Sequence, residues 1–229
     1  MTAPAVSARG PGLLRRASIR LFRLLLRRPI RLALRIHTEN EPALRGPYVL
    51  VANHTSFLDP LLLGAASPRH VTYLMSSIHW RSRAFGWFYR WMGAIPLLLR
   101  GGNRDGLRAA RAALQRGEVL GVFPEGGISR DGRLMLGSPG AVALVFGENV
   151  PVVPVGIVGA AGMLPYGGSR LRRVAITIRF GTPIAHDELV GAGVGHRKDR
   201  LQQATRKIMD EIARLSGQQS REQTLERAR

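Results

Sequence analysis

His54 and Asp59 stand five positions apart in Asn53-His54-Thr55-Ser56-Phe57-Leu58-Asp59. An imidazole with an unperturbed pKa of about 6.5 is suited to take a proton from an attacking hydroxyl near neutral pH. A carboxylate on its second ring nitrogen would orient the ring and stabilise the imidazolium. The spacing limits how the two can meet. On an ideal helix, residues five apart lie about 140° from each other, too far round for direct contact. Pro60 steers Asp59 out of helical geometry and is itself suited to the first helical position. A loop over 53–59 would curl His54 back onto Asp59; the plainer alternative makes Asp59 a helix N-cap.

A second group of chemical interest lies about seventy residues on, in Phe123-Pro124-Glu125-Gly126-Gly127-Ile128-Ser129-Arg130. Both groups follow short apolar runs that read as buried strands, and α/β folds place their sites at strand ends. Together the two segments resemble the glycerolipid acyltransferase family, built around a lysophosphatidate acyltransferase domain. That family moves a fatty acyl group from a thioester to a lipid hydroxyl.

The resemblance implies that His54 and Asp59 are the catalytic pair, with Asn53 in its usual place before them. The acceptor alcohol is then the nucleophile. Gly93-Ala94-Ile95-Pro96-Leu97-Leu98-Leu99-Arg100 is similar to a second family block whose Arg contacts the acceptor phosphate, although Arg100 falls one residue late. In the third block Phe123, Pro124, Glu125, Gly126 and Ser129 match, while Gly127 and Ile128 replace a Thr and an Arg. Asn53, Arg100, Glu125, Gly126, Ser129 and Arg130 are the implied substrate-binding residues, Glu125 serving the acceptor's glycerol or hydroxyls. Val150-Pro151-Val152-Val153-Pro154-Val155-Gly156 resembles the fourth block. The likeness spans roughly residues 37–185. Ile128 cannot donate the forked, charged hydrogen bonds with which Arg holds phosphate. Either Arg100, Arg104 and Arg130 take over that contact, or the acceptor is not lysophosphatidate.

The elements that must carry these residues follow from hydrophobic pattern. Apolar, β-branched runs recur at Tyr48–Ala52, Val71–Met75, Ala94–Leu99, Val119–Phe123, Val152–Val158 and Val174–Phe180. Helical patterns occupy Asp105–Arg116, Pro139–Phe146 and Asp199–Leu215. This alternation predicts a single-domain layered α/β fold, with a central mixed sheet flanked by helices. Residues 37–216 form that domain. Residues 1–36 precede it as a basic amphipathic segment, and 217–229 follow as a polar, frayed tail.

Composition narrows the partners. The chain has 229 residues, 34 basic against 15 acidic, a net charge of +19 and no cysteine. Disulfides, thiolate metal sites and a Cys nucleophile are excluded, and the charge calls for an anionic partner. Residues 1–36 contain nine Arg and no acidic residue. Arg16, Arg20, Arg23, Arg27 and Arg31 recur along one helical face among many leucines, with Pro29 expected to kink or divide the segment. A basic amphipathic helix over 13–36 would lie on an anionic membrane surface. Trp80, Phe85, Trp87, Phe88, Tyr89 and Trp91 form an aromatic cluster suited to the headgroup level or to an acyl chain. Nucleic acid is not expected, since basic residues are not interleaved with aromatics in a recognisable binding motif. No apolar run reaches the roughly 18–20 residues of a membrane span, and no secretory h-region is present. The histidines show no metal-ligand spacing.

The resulting expectation is an acyltransferase on the cytoplasmic face of the cell membrane, peripheral or monotopic. It would need no metal or cofactor and would take acyl-CoA or acyl-carrier protein as co-substrate. Its acceptor would be a lysophospholipid, first of all 1-acyl-sn-glycerol 3-phosphate. The alternatives are another lipid hydroxyl or amine as acceptor, or a catalytically silent membrane- or nucleic-acid-binding protein. An intact His54–Asp59 pair argues against silence.

Overall fold

The computed structural model describes residues 12–83, 86–98, 103–143, 147–168, 170–191 and 196–219. Helix α1 (Leu13–Ala33) leads into strand β1 (Ile36–Glu39), followed by β2 (Tyr48–Ala52), α2 (Asp59–Ala66) and β3 (Val71–Ser76). Two short helices, α3 (Ser77–Trp80) and α4 (Gly86–Met92), precede β4 (Ile95–Leu97), α5 (Arg104–Gln115) and β5 (Val119–Val122). Then come α6 (Pro139–Val142), β6 (Val152–Val158), α7 (Ala160–Met163), β7 (Ile176–Phe180), α8 (His186–Val190) and α9 (Arg197–Ser216). The strands form one sheet in the order β1-β7-β6-β2-β5-β3-β4. Neighbours are parallel except β6 and β7, so the sheet is mixed, as the pattern predicts.

Strand β2 is the axis of the molecule. All five of its residues are buried, as expected of a continuous apolar run in a sheet covered on both faces. Its side chains alternate between two cores. Tyr48, Leu50 and Ala52 pack with Leu62 and Leu63 of α2, whereas Val49 and Val51 pack with Ala110 of α5 and Ile208 and Ile212 of α9. Asn53 and His54 continue the alternation past the strand end, which places them toward opposite layers.

The six expected strands form, with ends shifted by a residue or two. Strand β1 has no counterpart in the expectation. It is a four-residue edge strand, Ile-His-Thr-Glu, with one buried apolar residue. The helix expected over Pro139–Phe146 spans only Pro139–Val142, and residues 144–146 lie outside the described ones.

Helix α1 is not divided at Pro29 and runs as one element through it. Contacts on both sides of the proline hold it: Arg23 and Arg27 before, Arg31 after. The stretch of its arginine face that carries Arg23, Arg27 and Arg31 points inward, while Arg16 and Arg20 stay exposed. Arg23 donates to Gly64 O (2.9 Å) and Ser67 O (3.0 Å), and Arg27 to Ala65 O and Ala66 O (3.0 Å each). These are the unfilled carbonyls at the carboxyl end of α2, where a cation also meets the negative pole of the helix. Such a contact is worth roughly 0.3–1 kcal/mol when exposed and up to about 2 when partly buried. Arg27 and Arg31 also pair with Glu41 at 3.1 and 3.0 Å. The leucines therefore face out: Leu14, Leu21, Leu24, Leu25 and Leu32 are all more than half exposed. From the aromatic cluster, Phe88 and Trp91 close on Phe22 of α1, while Trp87 stays exposed and Phe85 lies outside the described residues.

Candidate active site

Strands β2 and β5 run parallel with Val51 beside Val122. The chain leaves both at the same sheet edge, so His54 and Glu125, each three residues further on, arrive together. The His54 amide donates to Glu125 Oε1 at 2.6 Å, and the Ser129 amide donates to His54 O at 2.8 Å. The Met135 amide donates to Glu125 Oε2 at 2.9 Å. Glu125 thus joins the two loops from within. Burial pushes its carboxyl up to about 7, against the opposing pull of the Met135 and His54 amides.

The loop over 53–59 curls as the pairing requires. His54 Nδ1 lies 2.8 Å from Asp59 Oδ2, with Asp59 fully buried. The same oxygen accepts the Thr55 amide at 2.7 Å and the Ser56 amide at 2.8 Å. An oxygen receiving two backbone N–H groups is an acceptor, which assigns the ring proton to Nδ1 and leaves Nε2 with its lone pair. Asp59 is therefore not a helix N-cap. Leu58 holds that position, and the Asp59 side chain points back to the residues before the helix. The imidazole stacks on Phe123 (centroids 4.3 Å apart), and Phe123 stacks on Tyr73 (6.1 Å). The ring is held on one edge and one face.

Two residues expected to touch substrate are turned inward. Asn53 is fully buried. Its Nδ2 donates to Ile157 O (2.9 Å) and Gln218 Oε1 (2.8 Å), and its Oδ1 accepts the Ile157 amide (2.7 Å). Strand alternation sends it toward the α9 layer, so it fastens β2 to β6. Ser129 is also buried; its hydroxyl donates to Arg133 O at 2.6 Å and closes the loop on itself. Gly126 forms the turn after Glu125 at φ +70°, a conformation that favours glycine. Arg130 is exposed, its guanidinium 4.8 Å over the Tyr166 ring. Arg100 lies outside the described residues.

Beside the pair opens a cleft of about 280 Å³ walled by Phe57, Ile128, Leu164, Pro165 and Tyr166. Ser56 Oγ donates to Leu164 O at 2.9 Å and ties this wall to the catalytic loop. Nothing in the sequence pattern singled out Leu164, Pro165 and Tyr166, which form this wall. Sequence reasoning also missed Gln218, which a polar tail gives no reason to single out.

Residues 33–158 match the family model described as Acyltransferase. The chain is 32% identical over 131 residues to the chloroplastic 1-acyl-sn-glycerol-3-phosphate acyltransferase BAT2 of Brassica napus, covering 56% of this chain and 38% of that one. It is 31% identical to the chloroplastic enzyme LPAT1 of Arabidopsis thaliana, covering 56% of this chain and 36% of that one. It thus spans under two fifths of the length of these relatives. Taffazin of Dictyostelium discoideum is 30% identical over 191 residues, 73% of this chain and 67% of that one. The fold matches the crystal structure of the 1-acyl-sn-glycerophosphate acyltransferase PlsC from Thermotoga maritima with a TM-score of 0.68 and 21% identity, over 90% of this chain and 85% of that one.

Proposed function

The chain belongs to the acyltransferase family, and from that premise we propose that it transfers a fatty acyl group from acyl-CoA or acyl-carrier protein to the free hydroxyl of a lysophospholipid. The first-choice acceptor is 1-acyl-sn-glycerol 3-phosphate, giving phosphatidic acid. The observation that carries this reading is the His54–Asp59 pair at 2.8 Å, held by backbone amides in a loop whose Phe57 lines a cleft. His54 Nε2 removes the proton of the acceptor hydroxyl as its oxygen attacks the thioester carbonyl. The carbon–sulfur bond breaks, and the proton passes from the imidazolium to the departing thiolate. Asp59 keeps Nδ1 protonated and balances the imidazolium charge. Arg130 beside the cleft is the described cation best placed for an anionic headgroup.

The acceptor is delivered from a membrane. The outward leucines of α1 and the exposed Trp87 supply apolar surface, while Arg16, Arg20 and Arg28 are exposed beside them to meet anionic lipid. We place the protein on the cytoplasmic face, peripheral or monotopic; no helix among the described residues is long and apolar enough to cross a bilayer.

A second reading of the acceptor rests on Ile128. It stands in the cleft wall among Phe57, Leu164 and Pro165, an apolar lining that favours a lipid without phosphate at that position. One experiment separates the readings. Purified protein is given labelled acyl-CoA or acyl-carrier protein and a panel of lyso-acceptors. Labelled phosphatidic acid supports the first. Label only in a neutral or zwitterionic product moves the assignment to the second. No transfer to any acceptor, with a salt-sensitive DNA shift, removes the enzyme reading.

A further inference from the structure

We propose that Gln218 is a positioning residue: the chain just past α9 straps the loop over 126–138 to the catalytic loop and thereby sets the acceptor side of the site. The inference rests on the acyltransferase reading above.

The strap begins in the packing of α9. Gly156 lies in the middle of β6, and a Cβ there would sit 2.4 Å from the carbonyl carbon of Leu215 and 2.6 Å from the Ser216 amide nitrogen. The bare strand lets the last turn of α9 lie directly on the sheet. Gly217 then ends the helix in the left-handed conformation (φ +71°), its amide donating to Ala213 O at 2.9 Å. The chain turns back toward the sheet edge from which His54 emerges.

There the Gln218 amide uses both its ends. Oε1 accepts from Asn53 Nδ2 at 2.8 Å, and Nε2 donates to Gly132 O at 2.6 Å. One residue later, Gln219 O accepts the Leu134 amide at 3.1 Å. Asn53 adjoins His54 in sequence, and Gly132 lies two residues past Arg130. A continuous line of amides therefore runs from Ile157 through Asn53 and Gln218 to Gly132. Asn53 is buried and Gln218 half-buried, while the Gln218–Gly132 bond lies at the surface; polar groups joined in this way hold one arrangement of the loops that share them. A neutral amide does so with a donor and an acceptor and no added charge beside Asp59 and His54. The catalytic loop is tied independently through Asp59, so losing the strap frees chiefly the other loop, which carries Arg130. A site held about 1 Å out of place can lose two orders of magnitude in rate.

The test uses the full chain with two substitutions. Gln218→Met keeps the length of the side chain and removes both hydrogen bonds. Gln218→Glu keeps the acceptor for Asn53 and sets a carboxylate oxygen against Gly132 O. The first readout is amide hydrogen exchange, which does not depend on activity. Both variants are expected to exchange faster at Leu134 and Ser129, with Leu50 and Leu120 of the sheet unchanged. The second readout is kinetic: acceptor KM rises about tenfold or more while donor KM stays put, as expected for a displaced binding loop. Unchanged exchange at Leu134, or acceleration spread equally over the sheet, overturns the strap. Faster exchange at Leu134 with acceptor KM unaltered overturns the positioning role. If the wild-type protein transfers no acyl group, the functional reading fails, and exchange at Leu134 still decides whether Gln218 ties the loops.

Discussion

Replacing Asp59 by Asn separates a catalytic carboxylate from a structural one, because the structure dictates how the new amide must sit. Asp59 Oδ2 receives the Thr55 and Ser56 amides at 2.7 and 2.8 Å as well as the His54 ring. Two N–H donors pointing at one position force the amide oxygen of Asn into it. The other position, Oδ1, has no hydrogen-bond partner among the described residues, so an NH₂ group there displaces no donor. His54 therefore keeps its Nδ1 proton, and the loop keeps its shape. Only the charge is lost. An imidazolium and a carboxylate with centres about 4 Å apart attract by about 4 kcal/mol at an effective dielectric near 20. At about 1.4 kcal/mol per tenfold in rate, the ceiling is about 10³. We expect kcat to fall about 10²–10³, short of the roughly 10⁴ that an inverted tautomer costs a hydrolase triad. Single-turnover acyl transfer, measured beside thermal unfolding, is the assay. A correctly folded Asn variant within a few-fold of wild-type kcat would refute the charge argument and return Asp59 to a purely structural role. Asp59→Ala is the counterpart. It leaves two buried amides without an acceptor at about 1–3 kcal/mol each and should lower the unfolding midpoint, as Asn does not.

Three further outcomes are expected. His54→Ala should lower acyl transfer by about 10²–10⁴ with the fold retained, judged by far-UV dichroism and labelled-product assay; near-normal turnover would remove His54 as the base. Glu125, raised by burial to about 7 from an ordinary 4.5, contributes stability that is complete below the ordinary value and lost as pH rises through about 7. The unfolding midpoint should fall across that window relative to Glu125→Gln, and parallel curves for the two proteins would show that the carboxyl does not titrate there. Leu21→Ser with Leu24→Ser, both on the outer face of α1, should weaken binding to anionic and neutral vesicles alike, since about 1.5–3 kcal/mol of burial is at stake per leucine. Vesicle binding equal to wild type would exclude α1 as the contact.

Much of the layered fold was legible because parallel strands buried on both faces are written as unbroken apolar runs. Tyr48–Ala52 and Val152–Val158 coincide with β2 and β6 to the residue. The catalytic pair was legible as residue types, and the need for a loop followed from helical geometry. What stayed hidden depends on partners distant in sequence. Periodicity shows that Arg23, Arg27 and Arg31 share a face; it does not say where the face points. That was decided by α2 carbonyls about forty residues away. Asn53 resembles a substrate ligand until β6, 104 residues on, is found holding both ends of its amide. Strand β1, with three polar residues in four, carries no apolar signal.

The clamp between α1 and α2 has a mechanical consequence. Helix α2 is a rod of eight residues, about 12 Å long. The guanidinium groups of Arg23 and Arg27 grip one end, and Asp59 with its hold on His54 forms the other. A rod gripped at one end and carrying Asp59 at the other has no joint between them. A shift of α1 therefore travels along α2 to Asp59, while His54 stays tied to Glu125, Ser129 and Phe123, so the position of α1 bears on the Nδ1–Oδ2 contact between them.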